Sequence, residues 1–293
     1  MRSFDYFREY KTTMSRKFNP IISVIDDGLK LPDPVGAWSE KKYSLMGGYC
    51  EIFNSGIKNK FSNRVFIDLF AGAGYVPIKE KNKILKSSSL IALSIPTPFT
   101  KYIFCEMDEE KLSALEKRAR REHSDKDMSF IRGDSNQTVD RVIEEIKKLG
   151  PSTISFSFVD PFSLNLHFET IEKLSKVGKI DFLILLALMM NANRNLHNFI
   201  AEESKVIDLY IKKSDWRETF VKGETRKEDF IKFIAATYDQ NMHNLGYKVK
   251  NEGLKPKVDA DGYNLSLTTS PFIQRARWGM NFFRKSKSII SIK

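Results

Sequence analysis

The sequence predicts an α/β protein built on a mostly parallel sheet with helices on both faces. Three observations predict it. Five strand-length runs of apolar residues alternate with segments of helical periodicity between residues 65 and 189. The first run ends in Asp68 and breaks into the two-glycine turn Phe70-Ala71-Gly72-Ala73-Gly74. Acidic residues recur at the ends of the runs that follow, at Glu106, Asp134 and Asp160. Parallel strands share one carboxyl edge, so all four would line a single crevice.

Taken in order, residues 1–37 are a mixed lead-in broken by Pro20, Gly28, Pro32, Pro34 and Gly36. From Trp38 to about Lys60, Tyr43, Met46, Tyr49, Ile52 and Phe53 recur at the three-and-four spacing of one helix face, with Ser39 as the N-cap. Strand 65–70 and its glycine turn come next. A lysine-rich connection follows (Lys79, Lys81, Lys83, Lys86), then a short helix over 87–95 stopped by Pro96 and Pro98.

Regular alternation then sets in. Strands are expected over 101–106, 128–132, 153–159 and 180–189, and helices over 108–122, 136–149 and 168–177, the last two closed by Gly150 and Gly178. Residues 196–245 read as helical without a strand. Segments 247–250 and 263–269 read as an antiparallel pair, and a final helix over 272–284 precedes the basic tail from Arg284. The organisation expected is a helical lead-in (1–60), an α/β core (61–193), a helical insertion (194–245) and a C-terminal part that completes the core (246–293).

The chain has 293 residues, 41% of them hydrophobic, enough to bury a large core. Its 48 basic and 37 acidic side chains leave +11, which tilts toward an anionic partner, nucleic acid among them, or simply toward a lysine-rich surface. Cys50 and Cys105 form no disulfide framework, and neither they nor the four histidines have metal-ligand spacing, so no metal is expected. The N-terminus carries no apolar leader, and the longest apolar run, 182–190, is too short to span a bilayer. The expectation is a cytoplasmic protein with no membrane partner.

The chemistry rests on the strand ends. Gly72 and Gly74 free the backbone and leave room for a ligand to lie against it. The third glycine of the dinucleotide fingerprint is missing, since Tyr75-Val76-Pro77 follows instead, and this weakens an oxidoreductase reading. Glu106 stands where a carboxylate accepts ribose hydroxyls. Asp134 is placed to accept from an adenine amino group. Plainer roles exist for each: Asp68, Asp134 and Ser135 as helix caps, Asp108 as a competing cap beside Glu106, and Asp160-Pro161 as a turn.

The series resembles the class I S-adenosylmethionine-dependent methyltransferases. The resemblance implies a Rossmann-like sheet with S-adenosylmethionine as cofactor. Asp68, Phe70, Ala71, Gly72 and Gly74 would lie under its methionine part, Glu106 at ribose and Asp134 at adenine. Asp160-Pro161-Phe162 resembles the acidic-Pro-Pro-aromatic motif of amino-group methyltransferases, with Phe162 in place of the second proline. It implies catalytic roles for Asp160 and the Pro161 carbonyl in holding an amine, and for Phe162 in stacking. A closer resemblance is to the three-Cys-motif partner family, carried by Trp38, Lys42 and Tyr49, by 67–74, by Val159-Asp160-Pro161-Phe162 and by 263–269. That family implies a winged-helix-like insertion and a partner protein bearing a three-cysteine motif. A subunit that keeps the fold but has little catalysis of its own is the alternative function.

Lys79, Lys81 and Lys83 follow the glycine turn and Arg194 follows the fifth strand, so all four fall on the ligand-facing edge, where they would contact nucleic-acid phosphates or form a solvated loop. Lys117, Arg118, Arg120 and Arg121 read as a solvated helix face. Trp216, Phe220, Phe230, Phe233 and Ile234 read as the core of the helical insertion.

Overall fold

The structure, a computed structural model, describes residues 18–79, 81–186, 198–199, 201–220, 227–249 and 264–269. The chain enters through a short strand, β1 (Ser23–Val24), and a helix, α1 (Ser39–Ile57). The first sheet strand, β2 (Asn63–Asp68), leads through the glycine turn into the strands β3 (Tyr75–Ile78) and β4 (Lys83–Lys86) and the short helix α2 (Ser88–Leu93). The alternation then runs β5 (Lys101–Glu106), α3 (Glu109–Glu122), β6 (Met128–Arg132), α4 (Ser135–Lys147), β7 (Thr153–Val159), α5 (Phe168–Ser175) and β8 (Lys179–Leu186). Helices α6 (Val206–Ile211), α7 (Trp216–Phe220) and α8 (Lys227–Asn244) precede β9 (Lys248–Val249) and β10 (Asn264–Thr269).

The main sheet has the order β6-β5-β2-β7-β8-β10-β9. The first five strands are parallel, and β10 pairs antiparallel with both β8 and β9. The α/β fold class, its Rossmann-like parallel core and the antiparallel C-terminal pair are as the sequence predicts. The final helix over 272–284, the basic tail and residues 187–189 of the fifth predicted strand lie outside the described residues.

Side-chain alternation divides the core into two layers. Phe66, Tyr102, Phe104, Phe156 and Phe158 point to one face, beneath Tyr43, Met46, Tyr49 and Phe53 of α1, Leu90 and Ile91 of α2, and Leu115 and Ala119 of α3. The rings interlock, Phe66 lying 5.9 Å from Phe156 and Phe53 5.6 Å from Phe156. Val65, Ile67, Ile103, Cys105 and Val159 point to the other face, beneath α4, α5 and the later helices. Trp216, Phe230 and Ile234 are fully buried in that layer, with Phe220 and Phe233 packed against it. No helix among the described residues is long and apolar enough to cross a membrane.

Three local expectations change. Ser39 is the first helical residue of α1 rather than its cap, and its buried hydroxyl makes no hydrogen bond. The lysine-rich connection is not a loop. Its alternating apolar residues pair Tyr75–Ile78 antiparallel with Lys83–Lys86, and β1 adds a third strand to the hairpin. Residue 35 then bridges to Ile78 through Val35 N→Pro77 O and Lys79 N→Val35 O bonds of 2.9 and 3.0 Å. The third change is Arg118, which is fully buried rather than solvated.

Arg118 makes five hydrogen bonds. Its Nε and one terminal nitrogen donate to the two oxygens of Asp27 at 3.0 and 2.5 Å. The terminal nitrogens also donate to the carbonyls of Lys30 (2.9 Å), Leu29 (3.2 Å) and Ala73 (2.7 Å). Its guanidinium stacks 4.2 Å from the Tyr75 ring. One cation therefore joins α3, the entering segment and the glycine turn, and it holds the Asp27 carboxyl far below the usual carboxylate range. Removing one member of a buried ion pair strands the other charge. Asp27→Asn is accordingly expected to lower stability by about 3–5 kcal/mol in urea unfolding, and Asp27→Asn combined with Arg118→Met to lose less than the single variant.

Candidate active site

From β2 the chain builds outward to β5 and β6, then returns to place β7 and β8 on the other side. The crevice of an open α/β sheet lies at such a reversal, outside the carboxyl ends of the strands. Here that is the edge carrying Asp68, Glu106, Asp134 and Asp160.

Direct bonds tie these ends together. Gly72 N donates to Glu106 Oε2 at 2.9 Å, and Asp108 N donates to Glu106 Oε1 at 3.0 Å. Ala71 N donates to Cys105 O at 2.9 Å, Gly133 N donates to Glu106 O at 3.1 Å, and the Ser135 hydroxyl donates to Leu69 O. The two turn glycines do different work despite similar backbone angles, φ 63° at Gly72 and 86° at Gly74. A Cβ on Gly74 would meet Leu115 at 3.0 Å and Leu90 at 3.1 Å, so that glycine seats the turn on α2 and α3. A Cβ on Gly72 would meet nothing within 4 Å. Gly72 thus offers bare backbone beside open space, next to the carboxylate its own amide holds.

Asp68 is fully buried and accepts from Ser88 Oγ at 2.6 Å, Ser89 Oγ at 3.2 Å and Phe70 N at 3.2 Å. Burial pushes its pKa up to about 7 against the pull of those donors, and the nearby charge of Asp160 adds to the rise. Its role is to tie the end of β2 to the start of α2. Asp134 caps α4, accepting from Asn136 N at 2.8 Å, and Asp108 caps α3. The capping roles open for Asp134 and Asp108 are therefore real, and Asp134 carries its cap on the crevice edge.

At the end of β7, Asp160 Oδ2 receives the ammonium of Lys42 at 2.5 Å. The pair is largely enclosed, with side-chain exposures of 7% for Lys42 and 18% for Asp160. The ammonium also lies 4.8 Å from the ring centroids of both Trp38 and Tyr43. Pro161 is buried, while Phe162 projects at 84% exposure with no apolar cover among the described residues. Asn136 shapes the connection that follows, accepting from His167 N and Thr170 Oγ1, each at 2.9 Å, and donating to Asn165 O.

The structure thus gathers Asp68, Phe70, Ala71, Gly72, Gly74, Glu106, Asp134, Asp160, Pro161 and Phe162 along one edge. Lys79 and Lys83 are exposed on the hairpin of β3 and β4, and Lys81 pairs with Glu40 at 3.0 Å, two residues before Lys42 on α1. Arg194 lies outside the described residues. Ser88 and Ser89, which hold Asp68, do not stand out as site residues in the sequence, and Lys42, marked there only as part of the family resemblance, holds Asp160. The signal for Lys42 is a charge set at the start of the apolar stripe Met46, Tyr49 and Phe53. A cavity of about 400 Å³ opens at the opposite, amino edge of the sheet, bordered by Ile146, Thr153, Leu174 and Lys179, and includes none of these groups.

The sequence matches no family model and no curated protein. Similar solved structures include P. horikoshii TYW2 in complex with MeSAdo, at 13% identity over 86% of this chain and 70% of that one, TM-score 0.40. M. jannaschii TYW2 in complex with AdoMet matches at 12% identity over 86% of each chain, TM-score 0.39. The O-methyltransferase TomG from Streptomyces achromogenes, in complex with SAM, matches at 10% identity over 92% of this chain and all of that one, TM-score 0.40.

Asp68 gives a pH signature. Its folded pKa lies above its unfolded one, so the folded chain keeps a proton that the unfolded chain loses between about pH 4 and 7. The stability this group contributes is complete below that interval and declines as pH rises through it. Asp68→Asn should remove that decline. Unfolding free energies measured at the two ends should show the wild type losing roughly 2–4 kcal/mol relative to the variant.

Proposed function

We propose that this chain is an S-adenosylmethionine-dependent methyltransferase acting on an amino group of a nucleic acid or other anionic substrate. The observation that carries the reading is the bare backbone at Gly72, bordered by open space and by the Glu106 carboxylate that the same residue's amide orients. These residues fit the cofactor: the turn accepts the methionine part against its backbone, Glu106 accepts ribose hydroxyls, and Asp134 lies at the neighbouring strand end for adenine. When bound, S-adenosylmethionine supplies an electrophilic methyl group whose bond to sulfur breaks as the acceptor nitrogen bonds to carbon, the sulfur keeping the electron pair.

The protein's own part is alignment. Asp160 Oδ1 accepts no hydrogen bond among the described residues and is the atom to receive an acceptor N–H, with the nitrogen's proton lost to solvent after transfer. Phe162 presents a ring on which an acceptor base can stack. The hairpin carrying Lys79, Lys81 and Lys83 is joined to the start of α1 through the Lys81–Glu40 pair, and its charges suit a phosphate backbone. Within this reading the chain is a member of the three-Cys-motif partner family, residues 194–245 form its winged-helix-like insertion, and a protein with a three-cysteine motif is its partner in the cytoplasm. Engagement of Asp160 by Lys42 favours a second reading, a partner subunit with little catalysis. Methyl transfer from labelled cofactor to RNA or DNA separates the two.

Calorimetric titration tests the first requirement. Saturable binding of S-adenosylmethionine and of its demethylated product is expected, and its absence in folded protein overturns the reading. Glu106→Ala should weaken that binding by about 1–3 kcal/mol while circular dichroism stays unchanged.

The charge is tested separately. Nucleic-acid affinity should fall steeply with salt, and Lys79→Ala, Lys81→Ala and Lys83→Ala together should flatten the slope by about 0.7–0.9 for each phosphate no longer neutralised. Cofactor affinity should not move.

A further inference from the structure

Amino acceptors come in two electrostatic kinds. An alkylamine is a cation at neutral pH, whereas an amino group conjugated to a nucleobase ring is a neutral N–H donor. A carboxylate ringed by aromatic faces is by itself a cation site, since it offers both an opposite charge and ring quadrupoles. The carboxyl end of β7 has those components in Asp160, Trp38 and Tyr43, but the chain has filled them with a cation of its own. Lys42 Nζ sits 2.5 Å from Asp160 Oδ2 and 4.8 Å from each ring centroid. A second cation approaching Asp160 meets the charge of Lys42 at close range, in surroundings too enclosed for water to screen it well. A neutral donor approaching Oδ1 meets no such opposition.

We propose that Lys42 is a specificity-determining residue that reserves the acceptor end for neutral, ring-conjugated amino groups and rejects protonated alkylamines. This rests on the methyltransferase reading and narrows it to nucleobase acceptors, against lysine side chains of proteins. It makes Lys42 a selective element, distinct from a mere support for Asp160.

The test uses the full-length protein saturated with the demethylated cofactor, titrated at physiological salt with adenosine, cytidine, uridine and N-acetyl-lysine methylamide. Cofactor-product binding is measured first: its absence overturns the methyltransferase reading, while its presence leaves the following outcomes to judge Lys42 alone. The wild type is expected to bind adenosine or cytidine in preference to uridine and to the lysine amide. Binding of the lysine amide or of uridine as tightly as the aminonucleosides, or binding of none of the probes, overturns the proposal. Lys42→Gln, whose amide can still donate to Asp160, is expected to gain about tenfold in affinity for the lysine amide, the equivalent of about 1.4 kcal/mol. Lys42→Arg, which keeps the charge, is expected to retain the wild-type preference. An unchanged preference in Lys42→Gln, or a gain in Lys42→Arg equal to that in Lys42→Gln, overturns it.

Discussion

The buried guanidinium of Arg118 is the constraint around which the glycine turn at the carboxyl edge of the sheet is organised. A cation without solvent must be matched on all sides, and Arg118 is matched by Asp27 from the entering segment and by Ala73 from the glycine turn. The entering segment is therefore part of the architecture behind the turn. Its docking sets the back of the turn, while Glu106 sets the front through the Gly72 amide. Held from both sides, the turn keeps its positive backbone angles and presents bare backbone to the crevice.

The same logic of matched charge runs along the edge. Asp68 is buried and answered by two hydroxyls and an amide, and its pKa rises because burial outweighs the pull of donors that carry no full charge. Asp160 is answered by an ammonium. Two aspartates at the ends of neighbouring parallel strands are thus set to different tasks by their partners. One behaves as a structural group that can carry a proton near neutrality, and the other as an ionic element with one oxygen committed to Lys42.

Much of this is legible in the sequence. The five parallel strands show as apolar runs because both faces of the sheet are covered, and turn residues mark their ends. The carboxylates are legible because parallel topology sends every such end to one edge. The hairpin of β3 and β4 is not, since two four-residue strands, one interrupted by Pro77, carry too few residues for a period to emerge from a lysine-rich composition. Arg118 misleads for a different reason. Its neighbours Lys117, Arg120 and Arg121 share its charge, and nothing local distinguishes a solvated arginine from one whose partner, Asp27, lies 91 positions earlier. Lys42 leaves a trace as a charge in an apolar stripe, but its meaning requires Asp160, 118 positions away.

The two glycines of the turn show why a motif alone underdetermines a site. Gly72 and Gly74 both take positive φ, and spacing gives no reason to treat them differently. Their surroundings do. Gly74 is pressed between Leu90 and Leu115, so its missing side chain makes room for the protein itself. Gly72 faces space the protein leaves unfilled. A glycine that answers to packing is accounted for by the fold, whereas Gly72 answers to its positive φ and leaves open space beside an oriented carboxylate. That contrast, more than the motif, is what makes this edge of the sheet the candidate site.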